Sequence, residues 1–258
     1  MGFFTDTSIC IGCKACEVAC KEWNQVPEDG LSWTGESYDN TGALGANSWR
    51  HVAFIEQRTP VQLDAAPGAE GLRWLMASDV CKHCAHAACL DVCPTGALTR
   101  TEFGTVVVQS DVCNGCGYCV PACPFGVIDR RQDDGRAWKC TLCYDRLKDD
   151  MEPACAQACP TKSIQFGPLK ELRVLAADRV AELHRRGVDQ AQLYGADEGD
   201  GVGGAHAFFL LLDEPEVYGL PPDPVVTTRD LGRMWAMAAA AATSMVAGFA
   251  LAARRRRG

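Results

Sequence analysis

The chain has 258 residues, 47% of them hydrophobic, and a formal net charge of -8. That is long enough for one large or two small domains with a real core, and too acidic for nucleic acid to be the expected partner. No Walker loop, H-E-x-x-H or G-x-S-x-G is present, nor a G-x-G-x-x-G after a strand, so none of those sites for substrate chemistry is offered.

In chain order, residues 1–8 are too short and too polar for an export signal, because Cys10 arrives before an apolar signal core could form. No export signal of the chain's own is therefore expected. The first cysteine run is CIGCKACEVAC, with Cys10, Cys13, Cys16 and Cys20, and it continues into a helical turn through Glu22 and Trp23. Residues 24–79 read as an insertion, rich in Gly, Asp, Asn and Ser up to Asn47. Two short apolar stretches, 51–56 and 72–77, then flank a Pro/Gly-bearing segment and read as two strands. Trp23, Trp33, Trp49 and Trp74 concentrate here; ordinary packing of large side chains is preferred to shielding of a site or a partner contact.

The second run contains Cys81, Cys84, Cys89 and Cys93, with His83 and His86 among them. Histidine replaces cysteine in Rieske centres, but no cysteine is missing here, so neither histidine is expected to be a ligand. A hairpin follows over residues 97–109, leading into DVCNGCGYCVPACP, the third run, with Cys113, Cys116, Cys119 and Cys123. The fourth run has Cys140, Cys143, Cys155 and Cys159, and the eleven residues 144–154 inside it read as a short helix ended by Glu152-Pro153.

Residues 168–186 place Leu169, Leu172, Leu175, Ala176, Val180 and Leu183 at helical spacing. Residues 205–212 suit a buried strand, and residues 215–224, with four prolines, suit an extended connector. The twenty residues 234–253 carry no charge and are half alanine. As a helix they would be about 30 Å long, the thickness of a bilayer's hydrocarbon core. Trp235 borders them on one side and Arg254 to Arg257 on the other, so a transmembrane anchor is expected, the alternative being a helix packed on a partner protein. The arginine excess beyond the helix predicts a cytoplasmic C-terminus and an extracytoplasmic cysteine domain. With no export signal of its own, the domain would cross already folded, on a partner that carries one.

The third run is the ferredoxin spacing for 4Fe-4S clusters, a C-x2-C-x2-C-x3-C-P loop whose fourth cysteine serves a different cluster. Three of the four runs end in a related phrase, CPTGAL, CPFGVI and CPTKSI, an internal repeat. Two other readings of the 16 cysteines are weaker. Disulfide frameworks belong to short secreted chains, and zinc gains nothing from a third cysteine at the same spacing and a fourth before proline. The hairpin that leads from run two into run three makes those two one ferredoxin-like unit, and if they pair with each other, runs one and four must pair across them.

The expected fold is α+β: two ferredoxin-like dicluster 4Fe-4S units with insertions, plus one C-terminal transmembrane helix. The expected divisions are 1–23 with 138–168 for the first unit, 24–79 for the insertion and 80–137 for the second unit. Residues 169–228 supply a helix, a strand and a connector, and 229–258 the anchor with its basic tail.

Through CIGCKACEVAC, CNGCGYCVPACPFG, KCTLC, EPACAQACPT, LYGADE and DEPEVYGLP, the chain resembles the iron-sulfur (beta) subunits of membrane-bound, nitrate-inducible-type formate dehydrogenases. These belong to a wider set of electron-transfer subunits of molybdopterin oxidoreductases. The resemblance implies four 4Fe-4S clusters, since Cys116, replaced in some relatives of that wider set, is present here. It implies that Cys10, Cys13, Cys16 and Cys159 hold one cluster and Cys140, Cys143, Cys155 and Cys20 its twin. Cys81, Cys84, Cys89 and Cys123 would hold a third, and Cys113, Cys116, Cys119 and Cys93 the fourth. It also implies a non-catalytic relay between a molybdenum or tungsten pterin subunit that oxidises formate and a membrane cytochrome b or quinone-reducing subunit. The rival reading keeps the relay and changes the catalytic partner to a polysulfide, tetrathionate, dimethyl sulfoxide or nitrate reductase.

Overall fold

The first residues, to which the sequence pattern assigns no element, form a strand, β1 (Gly2–Asp6), buried along its whole length. In the computed structural model, which describes residues 1–30, 33, 35, 38–60, 70–226 and 228–255, the chain continues into α1 (Ala15–Asn24) and the hairpin β2 (Arg50–Pro60) and β3 (Glu70–Val80). Short elements follow: α2 (Ala88–Asp91), β4 (Leu98–Arg100), β5 (Val106–Val108), α3 (Cys119–Ala122), β6 (Asp129–Arg130) and β7 (Ala137–Trp138). Next come α4 (Tyr144–Lys148), α5 (Ala154–Gln157), β8 (Ile164–Gly167), α6 (Leu169–Arg185), β9 (Gln192–Tyr194), β10 (Ala207–Leu211) and α7 (Leu231–Arg255).

The largest sheet has the order β8-β1-β10-β9. β1 runs parallel to β10, with Phe4 opposite Phe208, and antiparallel to β8, with Phe3 opposite Phe166. Both faces of this sheet are covered, which is why β10 is apolar on both sides rather than alternating and why even Thr5 and Asp6 of β1 are buried. On one face Phe4, Phe208 and Leu210 pack against Leu172, Ala176 and Leu183 of α6. On the other, Phe3, Ala207, Phe209 and Leu211 pack into a core that contains Cys16, Cys20, Cys81, Cys140, Cys155 and Cys159. Each buried phenylalanine contributes about 1.5–3 kcal/mol. The sheet is thus a wall between the outer helix and the cysteine core.

The two expected strands of the insertion are present and longer than the apolar pattern alone suggests. β2 and β3 pair antiparallel from Arg50 opposite Val80 to Pro60 opposite Glu70. Of the Pro/Gly-bearing segment expected between them, 57–60 and 70–71 belong to the strands and 61–69 lie outside the described residues. The tryptophans do not act as one group. Trp49 is buried and stacks on Trp138 with centroids 6.3 Å apart, Trp74 packs edge-on to Phe54 and Tyr38, and Trp33 is exposed.

Two local expectations need correction. The helix inside run four stops at Lys148, before Glu152-Pro153, because the backbone turns left-handed at Asp150, with φ 54. Residues 215–224 are packed rather than merely extended. Pro215–Tyr218 form a 3-10 turn, the backbone N–H of Leu212 donates to the Tyr218 hydroxyl at 3.1 Å, and the Tyr194 hydroxyl donates to the Pro221 carbonyl at 2.6 Å.

The anchor expected over 234–253 forms one helix, α7, but among the described residues no helix is long and apolar enough to cross a membrane. Arg233 and Trp235 near the start of α7 and Thr243, Ser244 and Gly248 inside it dilute the apolar residues. The two hydroxyls bond back to the carbonyls of Ala239 and Ala240 at 2.8 and 2.9 Å. Trp235, Met245, Val246 and Phe249 are exposed along the helix. Arg256 and Arg257, two of the four arginines on which the orientation expectation rested, lie outside the described residues.

Candidate metal centres

All four cysteine runs share a backbone device that their sequences only partly reveal. Two residues after the first cysteine of each run the chain turns left-handed: Gly12 at φ 66, His83 at 45, Gly115 at 72 and Leu142 at 59. This turn folds the C-x2-C loop inward so that successive thiols face the same space. Glycine adopts it freely, whereas His83 and Leu142 give up about 1–2 kcal/mol each. The related end phrases have the same logic, since Gly96, Gly126 and Lys162, each three residues after the closing cysteine, are left-handed as well, at φ 69, 63 and 55.

The thiols gather in four sets. Cys10, Cys13, Cys16 and Cys159 line one cavity together with Val52, Ser78 and Ile164. Cys81, Cys84, Cys89 and Cys123 line another, with Phe125, Ile128 and Lys139. Burial pushes the Cys20 thiol up, and its cysteine neighbours Cys140, Cys155 and Cys143 add to the shift. Asn24 spans that set, its Nδ2 lying 3.7 Å from Cys20 Sγ and 3.8 Å from Cys143 Sγ. Burial likewise pushes Cys119 up to about 11, with Cys113, Cys116 and Cys93 contributing. Among the described residues no three His, Cys, Asp or Glu side chains converge on a single ion; the first two sets surround cavities instead.

The sets stand in series. Cys16 of the first is a charge neighbour of Cys155 in the second, Cys140 of the second neighbours Cys81 in the third, and Cys89 of the third neighbours Cys119 in the fourth. Cys13 and Cys116, in the two terminal sets, are exposed, whereas all four cysteines of the Cys20 set are buried. Burial moves Cys89 and Cys140 each up to about 12. Uncoordinated thiols in such places are neutral near pH 7, and holding them as thiolates requires a bound cation or fixed positive charge.

The donor chemistry fits iron-sulfur clusters. Soft sulfur ligands come four to a set, apolar side chains fill the space around them, and backbone N–H groups point at sulfur. The N–H of Leu142 donates to Cys140 Sγ at 3.2 Å and that of Ala137 to Cys113 Sγ at 3.4 Å. His83 lines the cavity of the Cys81 set, where its Nδ1 accepts from the Val106 N–H at 3.0 Å; His86 packs against Gly203.

Sequence reasoning missed the buried cations. Arg50, Lys82 and Lys139 are all but inaccessible, and an ammonium or guanidinium is not buried unless something anionic answers it. Lys139 Nζ donates to the carbonyls of Val106 and, at 2.9 Å, Cys140, and the side chain lies beside Cys81 and Cys89. The signal was available in CKHC and KCTLC, where a lysine adjoins a ligand-type cysteine.

The left-handed turns have a directly measurable consequence. A Cβ at Gly115 would sit 2.5 Å from the Gly135 carbonyl oxygen, whereas one at Gly96, equally left-handed, would meet nothing within 4 Å. Gly115→Ala is expected to lose about four irons, one cluster's worth, under chelator challenge, and Gly96→Ala to retain them. Equal retention by the two variants would show that the close approach to Gly135 is not what shapes the loop.

Residues 9–97 and 72–169 each match a family model described as a 4Fe-4S dicluster domain. Over 249 residues the chain is 42% identical to the nitrate-inducible formate dehydrogenase iron-sulfur subunit of Escherichia coli K12, covering 95% of this chain and 80% of the relative. It is 42% identical over 225 residues to the formate dehydrogenase iron-sulfur subunit of Haemophilus influenzae, with 86% and 68% covered. Against the B subunit of the anaerobic dimethyl sulfoxide reductase of Escherichia coli K12 it is 36% identical over 180 residues, with 70% and 79% covered.

Proposed function

Because this protein belongs to the family of formate dehydrogenase iron-sulfur subunits, an electron-transfer family that carries four 4Fe-4S clusters, we propose that its 16 cysteines hold those clusters as the four sets described above. When bound, each cluster takes up and releases one electron at a time. The protein's own residues do the placing. The left-handed turns aim the thiols, the apolar walls built by Phe3, Phe209 and Leu211 exclude water, and backbone N–H groups with buried cations answer the sulfur charge.

The observation that carries this reading is the serial order of the sets, with Cys13 and Cys116 exposed at its two ends. A protein with a point of entry and a point of exit for electrons is a relay and needs no substrate pocket of its own. The catalytic partner we propose is a molybdenum or tungsten pterin subunit that oxidises formate. Greater identity over more of this chain favours formate over the dimethyl sulfoxide reductase reading. On the acceptor side we propose a membrane cytochrome b or quinone-reducing subunit, with α7 packing its exposed alanine-rich surface on that partner and so attaching the relay at the membrane.

The test is to isolate the tagged chain from detergent-solubilised membranes and identify what accompanies it. The expected companions are a large pterin subunit, with formate-dependent dye reduction, and a haem-bearing membrane subunit. Recovery with an N-oxide or sulfur-compound reductase activity would replace formate by that substrate.

A further inference from the structure

Arg50 opens β2, is 2% exposed, and among the described residues forms no ion pair with a carboxylate. Its guanidinium faces the Phe3 ring, 5.0 Å from the ring centre. Nη2 donates to Cys155 Sγ at 3.3 Å, and Nη1 donates to the Ser78 carbonyl and hydroxyl oxygens, both at 3.2 Å. Ser78, itself 1% exposed, sits on the paired strand β3 with its hydroxyl 3.2 Å from Cys16 Sγ. Since that hydroxyl accepts from Arg50, its own hydrogen is free to point at Cys16. A continuous hydrogen-bonded path therefore runs Cys16–Ser78–Arg50–Cys155, joining the Cys10 set to the Cys20 set.

A permanently charged guanidinium shut away from water costs several kcal/mol unless it is paired, and among the described residues the groups that answer its charge are cysteine sulfurs. A thiolate-bound cluster is anionic and becomes more so on reduction, so a cation held between two of them favours the reduced state of both. Net charge and hydrogen bonds to sulfur are the levers that set cluster potentials.

We propose that Arg50, with Ser78 as its arm, is a shared counter-ion that raises the reduction potentials of the two clusters held by the Cys10 and Cys20 sets. Arg50 is in this sense a positioning and tuning residue, not a ligand. The inference rests on the ligand sets proposed above.

The experiment is an EPR-monitored redox titration of the purified complex, with iron counted in each preparation. Arg50→Gln should lower two of the four midpoint potentials and leave the other two in place, and Arg50→Lys, which keeps the charge, should restore most of the loss. Ser78→Ala, which removes the arm to Cys16 and one Arg50 hydrogen bond but leaves those to the Ser78 carbonyl and Cys155 Sγ, should lower one potential more than any other. Four unchanged potentials in Arg50→Gln with iron content intact would overturn the proposal, as would Arg50→Lys shifting them as far as glutamine does. If Arg50→Gln fails to load iron, Ser78→Ala decides, and unchanged potentials there overturn the proposal. A wild-type preparation with far fewer than about sixteen irons would instead bring down the ligand sets themselves.

Discussion

Replacing Cys140 with serine should cut the relay in its middle. Cys140 is buried, belongs to the proposed Cys20 set, and is a charge neighbour of Cys81 in the next set along. Its sulfur also accepts the Leu142 N–H at 3.2 Å, so the loop is organised around that atom. Serine offers a hard, weakly acidic oxygen where iron requires a soft thiolate. Iron should fall from about sixteen to about twelve per chain. Formate-dependent reduction of an artificial dye, which can draw electrons from the catalytic partner directly, should persist. Formate-dependent reduction of quinone should be almost abolished, because the gap lies between two intact clusters rather than at an exposed end. The comparison variant is Cys116→Ser, at an exposed terminal position, where one cluster is lost or converted and the interior stays intact. If dye-linked and quinone-linked rates fell in parallel in Cys140→Ser, a serial relay would be the wrong description.

The second large effect concerns the wall behind the sulfur core. Phe208→Ala should cost about 3–5 kcal/mol, the usual range for truncating a buried aromatic side chain, against total stabilities of about 5–15 kcal/mol for a domain. Phe208 is fully buried in β10, stacks on Phe4 with ring centroids 5.4 Å apart and an interplanar angle of 22°, and packs with Leu172, Ala176 and Leu183 of α6. Its loss should loosen α6 from the sheet and, through β10, disturb the strand whose opposite face contacts the cysteine core. The readout is the temperature at which the visible absorbance of the clusters disappears, together with protease sensitivity. Val174→Ala, on the 59% exposed side of α6, should stay within about 0.5 kcal/mol of wild type. Clusters as heat-resistant in Phe208→Ala as in Val174→Ala would show that the sheet does not support them.

Much of this architecture is legible in the amino-acid sequence, and the reasons are local. The C-x2-C loops, the short helix inside run four, the hairpin after run two and α6 each depend on residues within about one turn or one hairpin of each other, where spacing and periodicity carry the information. The apolar run that forms β10 is legible for the same reason. β1 is not, since five residues ahead of Cys10 carry too little pattern to distinguish a strand from a polar lead-in. Its partners, β8 and β10, begin more than 150 residues further on. Residues 234–253 are the opposite case: absence of charge over twenty residues is not the same as hydrophobicity where Trp235, Thr243, Ser244 and Gly248 interrupt the apolar run.

The chemistry is readable before any folding, because the ligand spacing of an iron-sulfur loop is a property of a dozen consecutive residues and survives any rearrangement of the rest. The order of the sets, which of them end at the surface, and where Arg50, Lys82 and Lys139 are buried among them are properties of the folded chain alone. Those depend on strands and loops distant in sequence meeting in one core, and a buried charge is identified by what surrounds it, which no single stretch of sequence contains.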